Sequence, residues 1–353
     1  MSSSSLGPPG IEGVDVERRR WVAAGLAASA VAALPRRRAG ADEPITLKLA
    51  TVAPEGTPWA EQLAQYRKKV EVESKGRLRL KPFFGGALGD ELQTVGECRR
   101  GALPMWGGTT GSLATSVPEL SVLELPFLFR HAEEADHILD QVLFEDLRKR
   151  LFDRGFVVVL WSENGFRSFG TKWAPITGPQ DLAGHKMRSQ ESLVHLEMYR
   201  ALGALPQPIA VTEVLPALQT GVVDGFDNTP LYTFAASWHL AIRHFTLSRH
   251  IYQPGLILLS RKAYEKLPPD LQKILTSDLG KITAEGRASV REMEPLLVQN
   301  FSNAKIPVYT PSAAERAALA KATAGVEQKL VKAVPSVKPL LASIKKALGS
   351  RSP

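Results

Sequence analysis

Residues 45–84 read ITLKLATVAPEGTPWAEQLAQYRKKVEVESKGRLRLKPFF, and this stretch decides the fold class. Residues 45–52 alternate in polarity and are rich in β-formers, which predicts a strand. Thr57-Pro58 is typical of the N-cap and first position of a helix, here over residues 59–74. A second strand ends the stretch. The order strand, helix, strand predicts a parallel sheet covered by helices, the α/β class.

The same alternation continues toward the C-terminus, and no internal repeat is visible, which excludes solenoids and propellers. The chain therefore predicts two α/β lobes and a helical C-terminal third. In open α/β sheets ligands bind at the carboxyl ends of the strands, so a cleft between the lobes is the expected site. The other predicted elements are a helix from Asp90 to near Gly101, a strand around Leu103–Trp106, a helix His131–Arg154, a strand Phe156–Trp161, a short strand following Asp181, helices Leu193–Leu202 and Val211–Thr220, two β-rich runs within Phe245–Ser260, one long helix from Pro269 to about Asn303, and a last helix Pro311–Val334.

The N-terminal 41 residues have the pattern of a secretory signal peptide. Three arginines precede Trp21, an apolar run covers residues 22–34, and Ala39-Gly40-Ala41 provides a small-residue cleavage site. The run is too short for a membrane span, which needs about 20 residues. The twin arginines resemble a Tat-type signal, and Sec export stays the alternative. We therefore expect an exported, periplasmic protein with cleavage after Ala41.

Composition limits the class of partner. The chain has 353 residues, of which 44% are hydrophobic, and this length suggests two domains. The formal charge is +8, and beyond residue 41 it is +5, from 38 basic and 33 acidic residues. No basic cluster of the kind that binds nucleic acid is present, so a small anionic ligand is the better match. Cys98 is the single cysteine, which excludes an internal disulfide and a cysteine-built metal site.

The motifs of common enzyme classes are absent. The seven histidines show no metal-ligand spacing, and the Gly-rich stretch 107–112 lacks the lysine of a phosphate loop. No nucleophile elbow and no pair of hydrolytic acids stands out. We therefore expect neither catalysis nor a cofactor.

Three polar stretches follow apolar strands, at residues 162–169, 181–192 and 221–230. We expect all three at strand ends or turns, where loops on rigid supports carry function. Arg188 ends a predicted strand just before a helix. Its planar guanidinium can make two parallel hydrogen bonds to a carboxylate, and the N-terminus of the following helix adds N–H groups to the same anion. The sequence thus predicts a carboxylate site at Arg188.

At these stretches the chain resembles the solute-binding subunit of TRAP (tripartite ATP-independent periplasmic) transporters, the DctP-like family. The resemblance covers roughly residues 45–335. It implies a two-lobed periplasmic binding protein fold, with hinge strands and a long helix packed across both lobes. The residues that carry it are Gly56-Thr57-Pro58-Trp59, Pro118-Glu119-Leu120 through Leu125-Pro126-Phe127-Leu128-Phe129, Gly165-Phe166-Arg167, residues 181–188, residues 213–225 with Asn228, and Leu267-Pro268-Pro269-Asp270-Leu271-Gln272.

The resemblance assigns ligand contacts by position. The arginine that pairs with the ligand carboxylate falls on Arg188, a second arginine used by some members falls on Arg167, and the polar residue after the Asp-Gly turn falls on Asn228. The turn reads Phe226-Asp227-Asn228-Thr229, whereas members that bind sugar acids commonly have Gln-Glu-Asn-Pro, so the ligand stays open. Asp227 is either a turn carboxylate or a residue that binds a cation together with the ligand.

The first lobe should complete the pocket through Thr57, Trp59, Trp106 and Thr109, although the two tryptophans fit a core role equally well. Tyr232 is a further candidate for the cleft. The full expected ligand-binding set is Arg188, Arg167, Asn228, Phe226, Asp227, Glu191, Trp106, Thr57, Trp59, Thr109 and Tyr252.

The expected domains follow the same resemblance. Residues 42–164 plus about 254–293 form the N-terminal lobe, and residues 165–253 plus about 294–335 form the C-terminal lobe. The basic tail 336–353 is broken by proline, so we expect it to fray or be disordered.

The expected function is capture of a small carboxylate between the lobes and its delivery to TRAP membrane subunits, by a monomer or a homodimer. Closure should follow because a ligand that touches both lobes binds the closed state better. Two rival classes are an exported sensory subunit and, less well supported, an exported enzyme. A larger and more apolar carboxylate is a further alternative, since Phe166, Phe169 and Phe226 lie near the expected site.

Overall fold

Two long antiparallel strands, β4 (Phe156–Thr171) and β8 (His244–Ser260), run through the centre of the computed structural model, which describes residues 43–349. They pair along their whole length, from Phe156 opposite Ser260 to Thr171 opposite His244. Their register shifts at three places, and one shift coincides with Gly165, whose φ of 94° favours glycine. The two strands carry the sheet from one lobe into the other.

The sheet has nine strands in the order β2-β1-β3-β8-β4-β7-β5-β6, and β9 pairs with β8. The first lobe holds the parallel strands β2, β1 and β3, and the second lobe holds the parallel strands β7, β5 and β6. The antiparallel pairs all involve β4 or β8. The remaining strand bounds are β1 Ile45–Thr51, β2 Leu78–Phe83, β3 Met105–Thr109, β5 Lys186–Ser189, β6 Leu205–Pro208, β7 Gly225–Asn228 and β9 Val308–Tyr309.

Helices cover both faces of this sheet. Successive residues of β8 enter different cores, with Leu256 and Leu258 on one face and Ile257 and Leu259 on the other. The helices are α1 Pro58–Glu73, α2 Glu91–Arg100, α3 Thr110–Leu113, α4 Ala132–His137, α5 Phe144–Asp153, α6 Leu193–Ala201, α7 Val214–Gln219, α8 Pro230–Ala235, α9 Arg261–Tyr264, α10 Pro269–Thr276, α11 Gly280–Asn303, α12 Ala313–Thr323, α13 Gly325–Ala333 and α14 Lys338–Leu348. Short 3-10 segments include Pro118–Glu124 and Trp238–Ala241, and a π-helical turn covers Ile138–Val142.

Capping residues set the helix starts that the sequence predicts. The Thr57 hydroxyl accepts the N–H of Ala60, and Pro58 occupies the first turn of α1. The Asp90 carboxylate accepts the N–H of Gln93 at the start of α2, and Gly101 ends that helix in the left-handed conformation. These predicted boundaries are confirmed.

The α/β class and the two-lobed arrangement are confirmed, with β4 and β8 as the connecting strands. Helix α11 contacts α1 of the first lobe and α8 of the second, which is the predicted long helix across both lobes. The predicted lobe boundaries at 164/165 and 253/254 stay a prediction. They fall opposite each other on β4 and β8, where Glu163 faces Pro254 and Gly165 faces Gln253.

Two of the three polar stretches do not form the expected loops. Residues 162–169 lie in the middle of β4, and residues 225–228 form β7. The prediction was wrong because it ended the strand Phe156–Trp161 where polar residues begin. In the structure Glu163 and Arg167 are buried and pair with side chains of other elements, so they do not end the strand.

The long helical segments are shorter than predicted. The segment 269–303 is two helices, α10 and α11, separated at Asp278, which has a φ of 56°. The segment 311–334 is likewise divided into α12 and α13. Helical spacing of apolar residues continued across both breaks, so periodicity alone did not reveal them.

The expected disorder of the tail was wrong for its described part. Residues 338–348 form α14, which buries Leu340, Leu341 and Ile344 beside the buried Val337. Pro335 opens a 3-10 turn that leads into this helix instead of ending the fold. The basic residues lie on the exposed face of the helix.

Leu340→Ala should lower the free energy of unfolding by about 3 kcal/mol, because a fully buried leucine loses its contacts and leaves a cavity. Thermal or urea unfolding of the parent and the variant measures this loss. Lys346→Ala is the matched control, since Lys346 lies on the exposed face of the same helix. Equal stability of the Leu340→Ala variant and the parent would mean that α14 does not contribute to the core.

The predicted signal peptide, residues 1–41, lies outside the described residues. Within residues 43–349 none of the helices combines the length and the apolar character that a bilayer crossing requires. Cys98 is buried and has a free thiol.

Candidate functional site

The two lobes contact each other around a narrow cavity at the carboxyl ends of parallel strands from both sides. Residues after β1 and at the end of β3 provide the wall of the first lobe, and residues after β5 and at the end of β7 provide that of the second. Its volume is about 20 Å³, enough for roughly one water molecule, so the lobes are closed on each other. The lining residues are Thr51, Val52, Ala53, Trp59, Glu91, Gly108, Thr109, Asn164, Gln190, Val211, Asn228, Tyr232 and Gln253.

Glu91 provides the charged group of the first-lobe wall. It lies in the first turn of α2, and its carboxylate accepts the N–H of Thr109 at 2.8 Å, the hydroxyl of Thr109 at 3.2 Å and the hydroxyl of Ser112 at 2.7 Å. Burial raises the pKa of the Glu91 carboxyl, and these hydrogen bonds together with the Arg188 charge only partly offset it. The wall therefore presents hydrogen-bond acceptors to the cavity.

Arg188 lies at the second-lobe side, in β5, and is 2% exposed. Its Nε donates to the carbonyl of Ile209 at 2.9 Å, and its buried Nη1 has no hydrogen-bond partner. Burial and the nearby Arg167 charge lower the pKa of Arg188. A buried cation with an unused N–H group can gain free energy by pairing with an anion.

Arg167 differs from Arg188 because protein groups already satisfy it. It lies in β4 and is fully buried, and its Nε donates to the Asp227 carboxylate at 2.5 Å. Its Nη1 donates to Gln253 at 2.8 Å and more weakly to Asn228 at 3.4 Å. Two of these partners, Asn228 and Gln253, line the cavity, so Arg167 orients cavity residues from behind.

Asp227 is the centre of this buried polar network. Its carboxylate accepts the hydroxyl of Tyr199 at 2.8 Å and lies 3.4 Å from Nε2 of His250. Burial alone would raise the pKa of Asp227, but the Arg167 charge and the nearby histidines outweigh it and hold that pKa well below its ordinary value. Asp227 is therefore a structural counter-ion.

A second carboxylate links the lobes beside this network. Glu124 of the first lobe accepts the Thr110 hydroxyl at 2.5 Å and lies 2.6 Å from Nε2 of His195 on α6. Burial alone would raise the pKa of Glu124, and its bonds to His195 and Thr110 lower it below the ordinary value. Gln253, which lines the cavity, also donates to Glu124 at 3.4 Å.

The hinge is connected to the cavity through Glu163 of β4. Its carboxylate accepts the hydroxyl of Tyr252 at 2.6 Å and pairs with Arg291 of α11 at 2.5 Å. Its backbone carbonyl accepts the indole N–H of Trp59 at 2.9 Å, and Trp59 lines the cavity. A cavity residue, a connecting strand and the long helix thus meet at one residue.

The structure brings some of the expected ligand-binding residues to the cavity and leaves others away from it. Trp59, Thr109 and Asn228 line it. Arg167 and Asp227 lie behind it, because Arg167 binds Asp227 and the lining residues Asn228 and Gln253. Arg188 does not line it either; it packs on Trp238, whose ring contacts the lining residue Tyr232.

Five expected residues have other surroundings. Phe226 packs edge-to-face on Trp238 in a separate core cluster, and Trp106 lies in the large core. Thr57 caps α1, and Tyr252 binds Glu163 at the hinge. Glu191 lies half-buried on the turn between β5 and α6. None of these five lines the closed cavity.

The aromatic residues behind the alternative of a larger apolar ligand also lie in the core. Phe166 packs on Tyr252, Phe169 stacks on His250 at 4.2 Å, and Phe226 packs on Trp238. The closed cavity has no wall made of these rings.

Sequence reasoning did not assign five polar residues that line the cavity, Thr51, Glu91, Asn164, Gln190 and Gln253, although Asn164 and Gln190 lie in two of the polar stretches. Asp90 and Glu91 are adjacent in the sequence, and the N-cap role of Asp90 explained both acidic residues, so Glu91 was not considered as a ligand contact. Gln253 precedes Pro254 within an otherwise apolar run, and a buried polar residue in such a run needs a partner. That signal was present and would have identified it.

No cluster of three or more potential metal ligands occurs within residues 43–349. The Asp227 carboxylate, the weak candidate for a cation, is already engaged by Arg167 and Tyr199.

Known proteins share this fold and sequence pattern. A sequence model described as bacterial extracellular solute-binding protein, family 7 (DctP) matches residues 49–333. A solute-binding protein of Verminephrobacter eiseniae is 32% identical over 251 residues, covering 68% of this chain and 75% of that protein. The C4-dicarboxylate-binding periplasmic protein DctP of Rhodobacter capsulatus is 27% identical over 277 residues, covering 78% and 83%. The crystal structure of the sugar acid binding protein DctPAm of Advenella mimigardefordensis in complex with galactonate superposes with a TM-score of 0.82 at 27% identity, covering 86% and 99%.

Proposed function

The chain belongs to family 7 of the bacterial extracellular solute-binding proteins, and from that premise we propose that its cleft takes a hydroxylated monocarboxylate. The protein is a TRAP solute-binding protein that captures a small organic acid between two lobes for delivery to a transporter. The ligand class is inferred from two groups together. Arg188 is a cation with an N–H group that has no partner, and Glu91 has carboxylate oxygens that accept hydrogen bonds.

The two sides of the cleft offer different chemistry to a ligand. Arg188 has a buried N–H group without a partner, which suits one carboxylate. Glu91 offers acceptor oxygens, and the buried Oε1 of Gln190 has no donor. Hydroxyl groups on the ligand can donate to both. A second carboxylate at that end would meet Glu91 as a like charge, so the wall disfavours dicarboxylates.

The proposal includes a periplasmic location, TRAP membrane subunits as partners, and release of the ligand unchanged, without a metal or cofactor. Membership of the family and the closed cavity between lobes support this reading. Mass spectrometry of the bound compound before and after incubation tests it, because turnover would instead support the exported-enzyme alternative. Co-purification with a kinase-type receptor would favour the sensory alternative.

Thermal-shift measurements on the mature protein should separate ligand classes, because a ligand that binds the native state raises the melting temperature. At fixed concentration and salt, galactonate should raise it more than succinate does. Galactose, which has no carboxylate, should leave it unchanged. A larger shift with succinate than with galactonate would contradict the assigned ligand class, and no shift with any acid would contradict acid binding itself.

Glu91→Gln tests the acceptor wall directly. The variant should reduce the preference for galactonate over succinate, since the like charge is gone. In the parent, galactonate affinity should rise as pH rises through the pKa of Glu91, which lies above 4.5, because only the ionised carboxylate is a pure acceptor. Isothermal titration calorimetry at several pH values measures this, and Glu91→Gln should flatten the dependence.

A further inference from the structure

The Arg188 charge has no carboxylate partner. Within residues 43–349 no carboxylate oxygen lies within 4.0 Å of its guanidinium nitrogens, whereas the equally buried Arg167 pairs with Asp227. Its protein hydrogen bond goes to the Ile209 carbonyl, which fixes the Nε side of the guanidinium. The charges of Glu191 and Asp227 act on Arg188 only from farther away, so a compensating group in contact with the guanidinium is still needed.

Trp238 occupies the position of that group. The Arg188 Cζ lies 5.5 Å from the centroid of the Trp238 ring, within the range of a cation–π contact. Trp238 is 1% exposed and begins the 3-10 segment Trp238–Ala241. Phe226 and Tyr232 hold its ring edge-to-face, with centroid distances of 5.0 Å and 5.4 Å. The ring therefore has little freedom to turn away from Arg188.

An aromatic face and a carboxylate differ in whether they occupy the N–H groups of a guanidinium. A carboxylate binds the N–H groups of a guanidinium, and a ligand would have to displace it. A ring face attracts the positive charge through its quadrupole and consumes no N–H group. The unpartnered Nη1 of Arg188 is the expected result of the second arrangement.

We propose that Trp238 is a positioning residue whose ring face holds the Arg188 guanidinium in place of a carboxylate counter-ion, so that its N–H groups stay free for the ligand. The role of Arg188 as carboxylate receptor rests on the proposed function. The attraction between Trp238 and Arg188 exists without ligand and is tested separately.

The first test is a double-mutant cycle on the ligand-free mature protein, with the parent, Trp238→Leu, Arg188→Met and the double variant. Trp238→Leu should lower the melting temperature in both backgrounds, because a buried ring is lost. The loss should be about 3 °C larger where Arg188 is present, which corresponds to a cation–π contact in a chain of this size. Equal losses in the two backgrounds would overturn the proposal.

The second test measures galactonate affinity by calorimetry. Trp238→Phe keeps a ring face and should stay within about threefold of the parent, whereas Trp238→Leu should bind at least about tenfold more weakly. In an Arg188→Gln background, Trp238→Leu should change the affinity by less than about twofold, because the residue through which it acts is absent. Trp173→Leu is the matched control, since Trp173 stacks on His185 in the same lobe and does not line the cavity.

The two arms separate the two hypotheses. Coupling in the ligand-free cycle without binding of galactonate or succinate would contradict the proposed function and support the cation–π contact. Galactonate binding with additive stability losses, and with equal affinity of the Phe and Leu variants, would support the function and overturn the role of Trp238. A loss of affinity in Trp238→Leu that is as large in the Arg188→Gln background would mean that Trp238 acts only through packing, and would also overturn it.

Discussion

Arg188→Gln should weaken the binding of galactonate by at least about 100-fold, or about 3 kcal/mol. The guanidinium is buried with an unused Nη1, so a ligand carboxylate gains charge-assisted hydrogen bonds in a site from which water is largely excluded. Glutamine keeps one donor group near the position of Nε, but it is shorter than arginine and has no charge. The ligand carboxylate is then buried without a counter-ion, and that cost dominates the loss.

Calorimetry on the mature protein measures this loss. Arg200→Gln is the matched control, because Arg200 lies on α6 of the same lobe and its half-exposed guanidinium pairs with Glu197. The control should bind as the parent does. The melting temperature of ligand-free Arg188→Gln should fall only slightly, because loss of the contact with Trp238 is partly offset by removal of a buried charge that has no carboxylate within 4.0 Å. An affinity within threefold of the parent would contradict the assigned role of Arg188.

Asp227→Asn should lower the free energy of unfolding by about 3 to 5 kcal/mol, because it leaves the fully buried Arg167 without its counter-ion. The side-chain shape barely changes, so lost packing does not explain the effect. Replacing both partners, as Arg167→Met with Asp227→Leu, should restore part of the stability, since the unpaired charge is then absent. Chemical unfolding of the ligand-free protein measures these differences.

The exposed pair of Lys149 and Asp153 provides the matched control. Asp153→Asn breaks an ion pair in solvent and should cost far less stability than Asp227→Asn does. Because the pKa of Asp227 is held well below its ordinary value of 3.8, its contribution is fully present above that value. It is lost as pH falls through the lowered pKa, so the parent should lose its advantage over Asp227→Asn in strong acid. Equal stability of the parent and Asp227→Asn near neutral pH would contradict this account.

Local signals in the sequence identified the elements that local interactions determine. Thr57 and Asp90 cap helices through their own side chains, so residue type and spacing were enough. The position of Arg188 at the end of a short strand was likewise readable from the turn to the helix that follows. These features need no knowledge of distant partners.

The features that the sequence did not reveal depend on partners far away in the chain. Arg167 lies inside a strand because Asp227 and Gln253, 60 and 86 residues later, satisfy it there. A polar residue in a buried strand therefore looked like a loop residue until its partner was known. Helix α14 was not predicted for a related reason, because the core that covers Leu340 comes from other parts of the chain.

The cavity has walls from both lobes and little free space in the closed state, and this has a kinetic consequence. A space of about 20 Å³ is too small for a sugar acid, so the lobes have to separate before such a molecule can enter or leave. Different acids should then differ mainly in how strongly they hold the two lobes around them, while none dissociates faster than the opening step. Transfer of the ligand to another protein therefore also requires the lobes to separate first.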